Sequence, residues 1–467
     1  MTSFLRKKVL VAGLDPSGVA ACQLLRERGA SVTGVLLDMP GLDQSGLKEM
    51  PNGALVVPQG ECSLEGFDLA VTCSQVGRDH PFVQSLHTAG IRVWSDLEMA
   101  FQRIACLTIA VSGTNGKTTA GEMVEQILKG CGRKVSRAGG SGRAPCAVAE
   151  ETRELDYLIL EVNSFQLEGI ESFRPAVAVL LNLKPDHLDR YDRMPAYVAT
   201  MSRLFENQQV FDWAVIQSEA LAHIRSVKLP LPSKVITFSG QTRRSDIFLD
   251  RSLLISGLDG WAGPLMDMDQ TALKGPHNAE NAMAALAVGH VLRLSLEEMA
   301  ASLKDYQPGP HRLEPVARVG GVEFINNSKA LNVDALEKSI QAIPPGAGGA
   351  PNIWLIAGGK DKGLDYHDLG PLLASRVKGA FLIGETREKL RAAWSLFTPC
   401  AVVDSLLEAV DGAHEHAEAG DLVLLSPACS SYDMFQNYQH RGEVFREAVK
   451  ALAAKFPEPP ECLSDKP

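Results

Sequence analysis

The chain lacks the marks of several protein classes. Its nine cysteines (22, 62, 73, 106, 131, 146, 400, 429 and 462) are odd in number and include no Cys-x-x-Cys pair, so neither a disulfide framework nor a thiolate zinc site is signalled. There is no basic excess: 46 Lys and Arg face 56 Asp and Glu, a net charge of −10, which argues against broad nucleic-acid binding and requires any anionic ligand to find a local basic pocket. No apolar run approaches the length needed to cross a bilayer. The opening MTSFLRKKVLVAGLDPSG is basic and then apolar, but Asp15 and Pro16 break it before a signal-peptide core could finish. A soluble, cytoplasmic protein with no membrane insertion is expected.

What is present suits a large globular chain. At 467 residues, 45% hydrophobic and 22% charged, it has room for about three domains on a prior of roughly 150 residues each. Short all-apolar strands alternate with helical stretches, the pattern of parallel sheets buried on both faces, which predicts an α/β fold. In a first block, 7–13, 30–37 and 67–73 read as strands and 18–28 as a helix. A second block has strands at 106–113, 157–162 and 176–183 and a helix from Lys117 to about Lys129. Short alternating segments between Lys234 and Leu273 predict a small antiparallel insertion, and 277–292 returns to helix. DYQPGPHR (305–312), with two prolines and a glycine, reads as an inter-domain linker. The third block supplies strands at 322–326, 352–358, 379–384 and 421–426; PPGAGGAP (344–351) reads as a loop, and the tail 456–467 as frayed. The expected division is 1–104, 105–308 and 309–467.

GTNGKTT (113–119), between a buried strand and a helix, is the strongest local signal. Such a turn offers backbone N–H groups and a helix N-terminus to phosphate, with Lys117 as the point charge and Thr118 as a magnesium ligand; ATP or GTP is the expected ligand. The run is shorter than the full GxxxxGK[ST], because Val111 stands where the first glycine would be. The other glycine turn, GLDPSG (13–18), puts Asp15 where a dinucleotide fingerprint needs glycine, which disfavours a redox cofactor. Polar clusters follow two later strands, LEVNSFQLE (160–168) and LNLKPDHLDRY (181–191). From them Glu161, Asp186, His187 and Asp189 are hard ligands able to complete a magnesium shell begun by Thr118. Further on, the asparagines of GPHNAEN (275–281) suit a nucleobase edge, Arg312 and Lys329 suit phosphate, and Lys362 with Ser431 suits a carboxylate.

Taken in order, GTNGKTT, ExNSFQLE, NxxxDHxDRY, GxHNxxN, GPHR, NxSKAxN, GGKDKG and SPAxxSxDxFxxYxxRG resemble the motifs of the Mur ligases, most closely the D-glutamate-adding members, over essentially the whole chain. The resemblance implies an N-terminal Rossmann-like UDP-binding domain, a central P-loop ATPase domain and a C-terminal Rossmann-like domain that brings the amino acid. It also implies an activity: ATP-driven addition of D-glutamate to UDP-N-acetylmuramoyl-L-alanine through an acyl phosphate, in peptidoglycan precursor synthesis. Carried over by position, Gly113, Asn115, Gly116, Lys117, Thr118 and Thr119 would serve ATP. Thr118, Glu161 and His187 would hold Mg2+, and Lys117, His187 and Lys329 would be catalytic. Asn278, Asn281, Arg312 and Asn327 would line the nucleotide, and Ser17, Ser164, Lys362, Ser431, Tyr432 and Tyr438 the substrates. The sequence departs from the family at several places. The lysine that the family carbamoylates falls on Met201, the aspartate and threonine of xDSKATN are Asn327 and Leu331, a Ser-Pro-Gly stretch is Cys73-Ser74-Gln75, and GGNxG is GGSGR (139–143). A ligase for another amino acid, or a catalytically reduced paralogue that binds nucleotide or a UDP-sugar, are the alternatives. The absence of a DNPR-like motif disfavours a diamino acid, and the βαβ block before residue 100 disfavours a folylpolyglutamate synthase.

Overall fold

The computed structural model describes residues 4–39, 42, 45–140, 142–187, 190–273 and 275–456. The chain forms two compact units, Met1–Leu183 with Arg190–Gln307, and Lys184–Asp189 with Pro308–Pro467. Asp189, Ser141 and the tail from 457, including Cys462, lie outside the described residues. The fold is α/β with three sheets, two in the first unit and one in the second.

The first sheet is wholly parallel, in the spatial order Leu55–Pro58, Ser31–Leu36, Lys8–Ala12, Leu69–Thr72, Val93–Ser95. Chain order reverses on either side of Lys8–Ala12, so a crevice opens at the carboxyl ends of Lys8–Ala12 and Leu69–Thr72, where open α/β sheets collect ligands. Helix Pro16–Glu27 follows the first strand. Pro16 presets its first turn and Asp15 caps it, accepting from the Ser17 and Gly18 amides at 2.9 Å.

The second sheet has nine strands, and its switch point lies between Leu107–Ser112 and Val177–Leu180. Helices Lys117–Gly130 and Pro276–Val291 cover one face through Val124, Ile127, Met283 and Leu286, and Met194–Ser202 lies on the other with Leu160, Leu180 and Val198. In the region 234–273, where a small antiparallel insertion is expected, the antiparallel part is confined to 247–267. Lys234–Ser239 continues the parallel sheet beside Trp213–Gln217. Ile247–Asp250 joins it in parallel, and antiparallel pairing begins where Leu253–Ser256 runs against Ile247–Asp250 and Gly263–Asp267 against Leu253–Ser256, all in the same sheet. The buried Ile236 and Phe238 explain the join, since both belong to the core of that sheet.

The third sheet, in the second unit, runs Glu314–Val319, Val322–Asn326, Leu422–Leu425, Ile353–Gly358, Val377–Ile383, Cys400–Val402, with only the first pair antiparallel. Three of these strands end on loops that the sequence marks as polar: 327–332, 359–363 and 426–431. Among the described residues no helix is long and apolar enough to cross a membrane.

Candidate functional site

The strand Leu107–Ser112 leads into a turn that only glycine can make at two points. Gly113 has φ +143° and Gly116, which starts helix Lys117–Gly130, has φ +87°; a Cβ on Gly116 would come 2.6 Å from Asn281 Oδ1. Gly116 starts the helix without a side-chain cap, and a helix N-terminus favours an anion. Across the switch point, Asn182 holds the turn open: its Oδ1 accepts from the Asn115 amide at 2.8 Å, its Nδ2 donates to Asn115 O at 3.0 Å, and its carbonyl accepts from the Thr114 amide at 3.0 Å. Tyr197 Oη lies 3.1 Å from Thr114 Oγ1. Lys117 Nζ donates to the carbonyls of Gly113 (2.7 Å) and Thr114 (3.0 Å), which holds its charge over the turn. Thr119 is buried in the helix.

Thr118 Oγ1 donates to Glu161 Oε2 at 2.8 Å, bringing the hydroxyl and carboxylate together beside the turn. These are hard oxygens of the kind magnesium takes, and Glu161 is 2% exposed. Gly140 gives that carboxylate its space, since a Cβ there would collide with Glu161 Oε2, and Gly139 lets the backbone of Glu161 come close, a Cβ there falling against its carbonyl oxygen. Glu161 is also ion-paired with Arg137, a residue of strand Val135–Gly139. The turn and this pair fit a nucleotide triphosphate carrying a divalent ion: a helix N-terminus, a lysine and two oxygen ligands converge at one sheet end.

In the second unit Asp186, Lys362 and Asn332 meet. Lys362 Nζ donates to Asp186 Oδ1 at 3.1 Å and Asn332 Nδ2 to Oδ2 at 3.2 Å; the ring nitrogen Nε2 of His187 is 3.8 Å from Oδ2. Burial alone would raise the Asp186 carboxyl, but the charges of Lys362 and His187 and the two hydrogen bonds pull it down to about 2. Lys329 Nζ stands 3.8 Å over the ring of Tyr438, the first residue of helix Tyr438–Lys455. Both ends of the buried Asn327 amide are engaged: Oδ1 accepts from the Leu313 amide, and Nδ2 donates to Ser339 and Ser426. Arg441 is fully buried. It ties two loops together, donating to the carbonyls of Ser328, Cys429 and Ser430 and to Ser328 Oγ. Ser431 is buried beside them and Tyr432 is exposed.

Two family models match the chain, the Mur ligase middle domain over residues 111–289 and the Mur ligase glutamate ligase domain over 311–429. The UDP-N-acetylmuramoylalanine--D-glutamate ligase of Acidobacterium capsulatum is 37% identical over 456 residues, covering 95% of this chain and 96% of the relative. The protein of the same name from Desulfitobacterium hafniense strain Y51 is 37% identical over 459 residues, covering 95% and 97%. The chain belongs to the Mur ligase family. The fold agrees: MurF ligase from Thermotoga maritima, solved in complex with ADP, superposes at a TM-score of 0.61 with 15% identity, covering 96% of each chain. UDP-N-acetylmuramate-alanine ligase from the same organism superposes at 0.60 with 17% identity, covering 95% and 99%.

In this ligase the crevice of the first sheet is lined by the chain's own hydrogen bonds. Ser17 Oγ donates to Asp15 Oδ1 at 2.8 Å and accepts from the Ser74 amide at 2.8 Å. Ser164 begins a short helix whose preceding Asn163 forms a capping box with Gln166 and donates to Ser74 O at 3.1 Å. Asn278 and Asn281 share the first turns of Pro276–Val291, Asn281 against Gly116 and 3.4 Å from Asn278 Oδ1. Arg312 is in the linker at the start of the second unit, which also contains His187. Met201 is 1% exposed, packed in the apolar cluster of Leu160, Val162, Leu167, Tyr197 and Val198. Among the described residues no group of three or more His, Cys, Asp or Glu is placed to hold a metal. Sequence reasoning passed over Asn182, Tyr197, Arg137 and Arg441. Asn182 and Arg441 stood inside the motifs; position after a buried strand was the available signal for Asn182, whereas Arg441, in a helix that also carries Glu443, Arg446, Glu447 and Lys450, had none.

Proposed function

We propose that the chain joins D-glutamate to UDP-N-acetylmuramoyl-L-alanine at the expense of ATP, in peptidoglycan precursor synthesis. The observation that carries this reading is the Gly113–Thr119 turn, with Lys117 over it and Thr118 on Glu161, within a chain aligned nearly end to end with D-glutamate ligases. The substrate carboxylate attacks the γ-phosphorus and ADP leaves. The glutamate amine then attacks the acyl carbon of the mixed anhydride, releasing inorganic phosphate and a proton. Both steps bring anions together, so the work of the protein is orientation and preset positive charge. Magnesium, when bound, neutralises phosphate oxygens; Thr118 and Glu161 would hold it. Lys117 and the amides of the turn hold the phosphates, and Asn115, held by Asn182, keeps the turn in shape. Asn278 and Asn281 border the nucleotide. By their places in the family motifs, Arg312, Lys329 and Asn327 serve the nucleotide and His187 is a metal ligand. Lys362, Ser431, Tyr432 and Tyr438 receive D-glutamate, and Ser17 and Ser164 the UDP substrate. Such soluble, nucleotide-linked precursors and ATP are cytoplasmic, which is where the reading puts the chain.

The test is a panel of amino acids offered with UDP-N-acetylmuramoyl-L-alanine, ATP and magnesium, scored by product mass. A product with D-glutamate alone supports the reading. A product with a different amino acid moves the specificity, and nucleotide binding with no product under any amino acid overturns the assignment as a ligase.

A further inference from the structure

Both oxygens of Glu161 are taken. Oε2 accepts from Thr118, and Oε1 is paired with Nη1 of Arg137. Arg137 lies on a strand paired in parallel with Tyr157–Glu161. Its other nitrogens reach Glu125 Oε2 at 3.2 Å and Glu122 Oε1 at 3.4 Å, both on the phosphate-loop helix. Glu122 and Glu125 are three residues apart, so one helix face presents both to the strand. Tyr306 Oη donates to the second oxygen of Glu122 at 2.7 Å and fixes that carboxylate in turn. The helix leaves room because residue 121 is glycine; a Cβ there would come 3.3 Å from Arg137 Cδ. A guanidinium stays protonated throughout the physiological pH range, so the charge is permanent.

We propose that Arg137 is a built-in cation on the outer oxygen of Glu161, so that the nucleotide site takes one divalent ion, on the Thr118 side, and not two. The proposal rests on reading Gly113–Thr119 as the ATP site. An ion entering beside Thr118 displaces one neutral hydroxyl hydrogen bond. An ion approaching Oε1 must displace a guanidinium held by charge-assisted bonds from three carboxylates, and until it does so it stands within a few ångströms of a fixed positive charge. Arg137 therefore supplies at Oε1, without a binding equilibrium, the charge that a second metal would bring, and it orients the carboxylate so that Oε2 faces Thr118.

The experiment is a Mn2+ titration of the full chain with a non-hydrolysable ATP analogue, counting bound ions by electron paramagnetic resonance while calorimetry follows the analogue. The wild type should bind one tight Mn2+ per chain, as should Arg137→Lys, which keeps the charge. Arg137→Met, which leaves three carboxylates unneutralised, should gain a second ion at least about tenfold tighter than any second ion in the wild type. Two ions of similar affinity in the wild type overturn the proposal whatever the variants do. So does an Arg137→Met protein that keeps its circular dichroism and binds the analogue but still takes one ion. If the wild type binds no analogue, the ATP-site reading falls and the proposal with it; if analogue binds with two ions, only the proposal falls.

Discussion

Lys362 Nζ and Asp186 Oδ1 are 3.1 Å apart, an ion pair between chain positions 176 residues distant. Both side chains are largely withdrawn from water, at 14% and 8% exposure. In a site proposed to receive a dicarboxylic amino acid, this pair keeps the ammonium ordered and aimed before ligand arrives. Removing it should damage glutamate binding selectively. Lys362→Ala should raise the Michaelis constant for D-glutamate about 10- to 100-fold, the range of a lost charge-assisted contact, and leave that for ATP within about twofold. Steady-state kinetics in both substrates decide it, and an equal rise in the two constants refutes the assignment.

The same pair makes acid stability depend on one carboxylate. Asp186 drops from 3.8 to about 2 on folding, so its contribution is fully present above pH 4 and is lost as the pH falls through 2. The shift corresponds to about 2 kcal/mol. Asp186→Asn should therefore be less stable than the wild type by at least about 2 kcal/mol at pH 7 in urea, and the gap should narrow steadily between pH 4 and pH 2. A gap that stays constant over that interval would show that Asp186 owes its low value to something other than the folded pair.

Lys117 is bound to the carbonyls of its own turn, so its loss removes charge from the phosphates with little cost to the core. Lys117→Ala should keep its melting temperature within a few degrees and lose about 10²-fold or more in turnover, the scale of removing one preorganised charge from phosphoryl transfer. Phosphate release and thermal melting measured on one preparation check both halves. A folded variant with near-normal turnover would remove the turn from the mechanism.

The turn was legible in sequence because its conformation leaves few alternatives. Glycine at 113 and 116 is forced by positive φ and by the nearness of Leu181 and Asn281, and lysine follows at the helix start. Strands such as Leu107–Ser112, Tyr157–Glu161 and Leu422–Leu425 were equally legible, since burial on both faces leaves an unbroken apolar run. Val135–Gly139 was not: its VSRAG is half polar, because Arg137 points to three carboxylates rather than into the core. The pairing of Lys362 with Asp186 was hidden for a different reason. Each residue alone suits a ligand, and only the third dimension shows that each is the other's partner.

Met201 is the sharpest departure from the family pattern, and its surroundings decide what a lysine would do there. The side chain is 1% exposed among Leu160, Val162, Leu167 and Val198, so its contribution is apolar packing. Met201→Leu, close in volume, should cost less than about 1.5 kcal/mol and leave magnesium dependence unchanged. Met201→Lys places an ammonium in an apolar cluster, so it should cost several kcal/mol or force the amine neutral. On the proposal that Arg137 takes the place of a second ion at Glu161, a new anion at 201 has no metal position to complete. The lysine variant should therefore lose stability and gain neither magnesium affinity nor a response to bicarbonate, while the wild type is indifferent to bicarbonate. Magnesium titrations of ligation, with and without bicarbonate, on all three proteins make the comparison. A bicarbonate-dependent rise in activity or magnesium affinity in Met201→Lys would show that position 201 still faces the metal, and that packing is not the whole of its role.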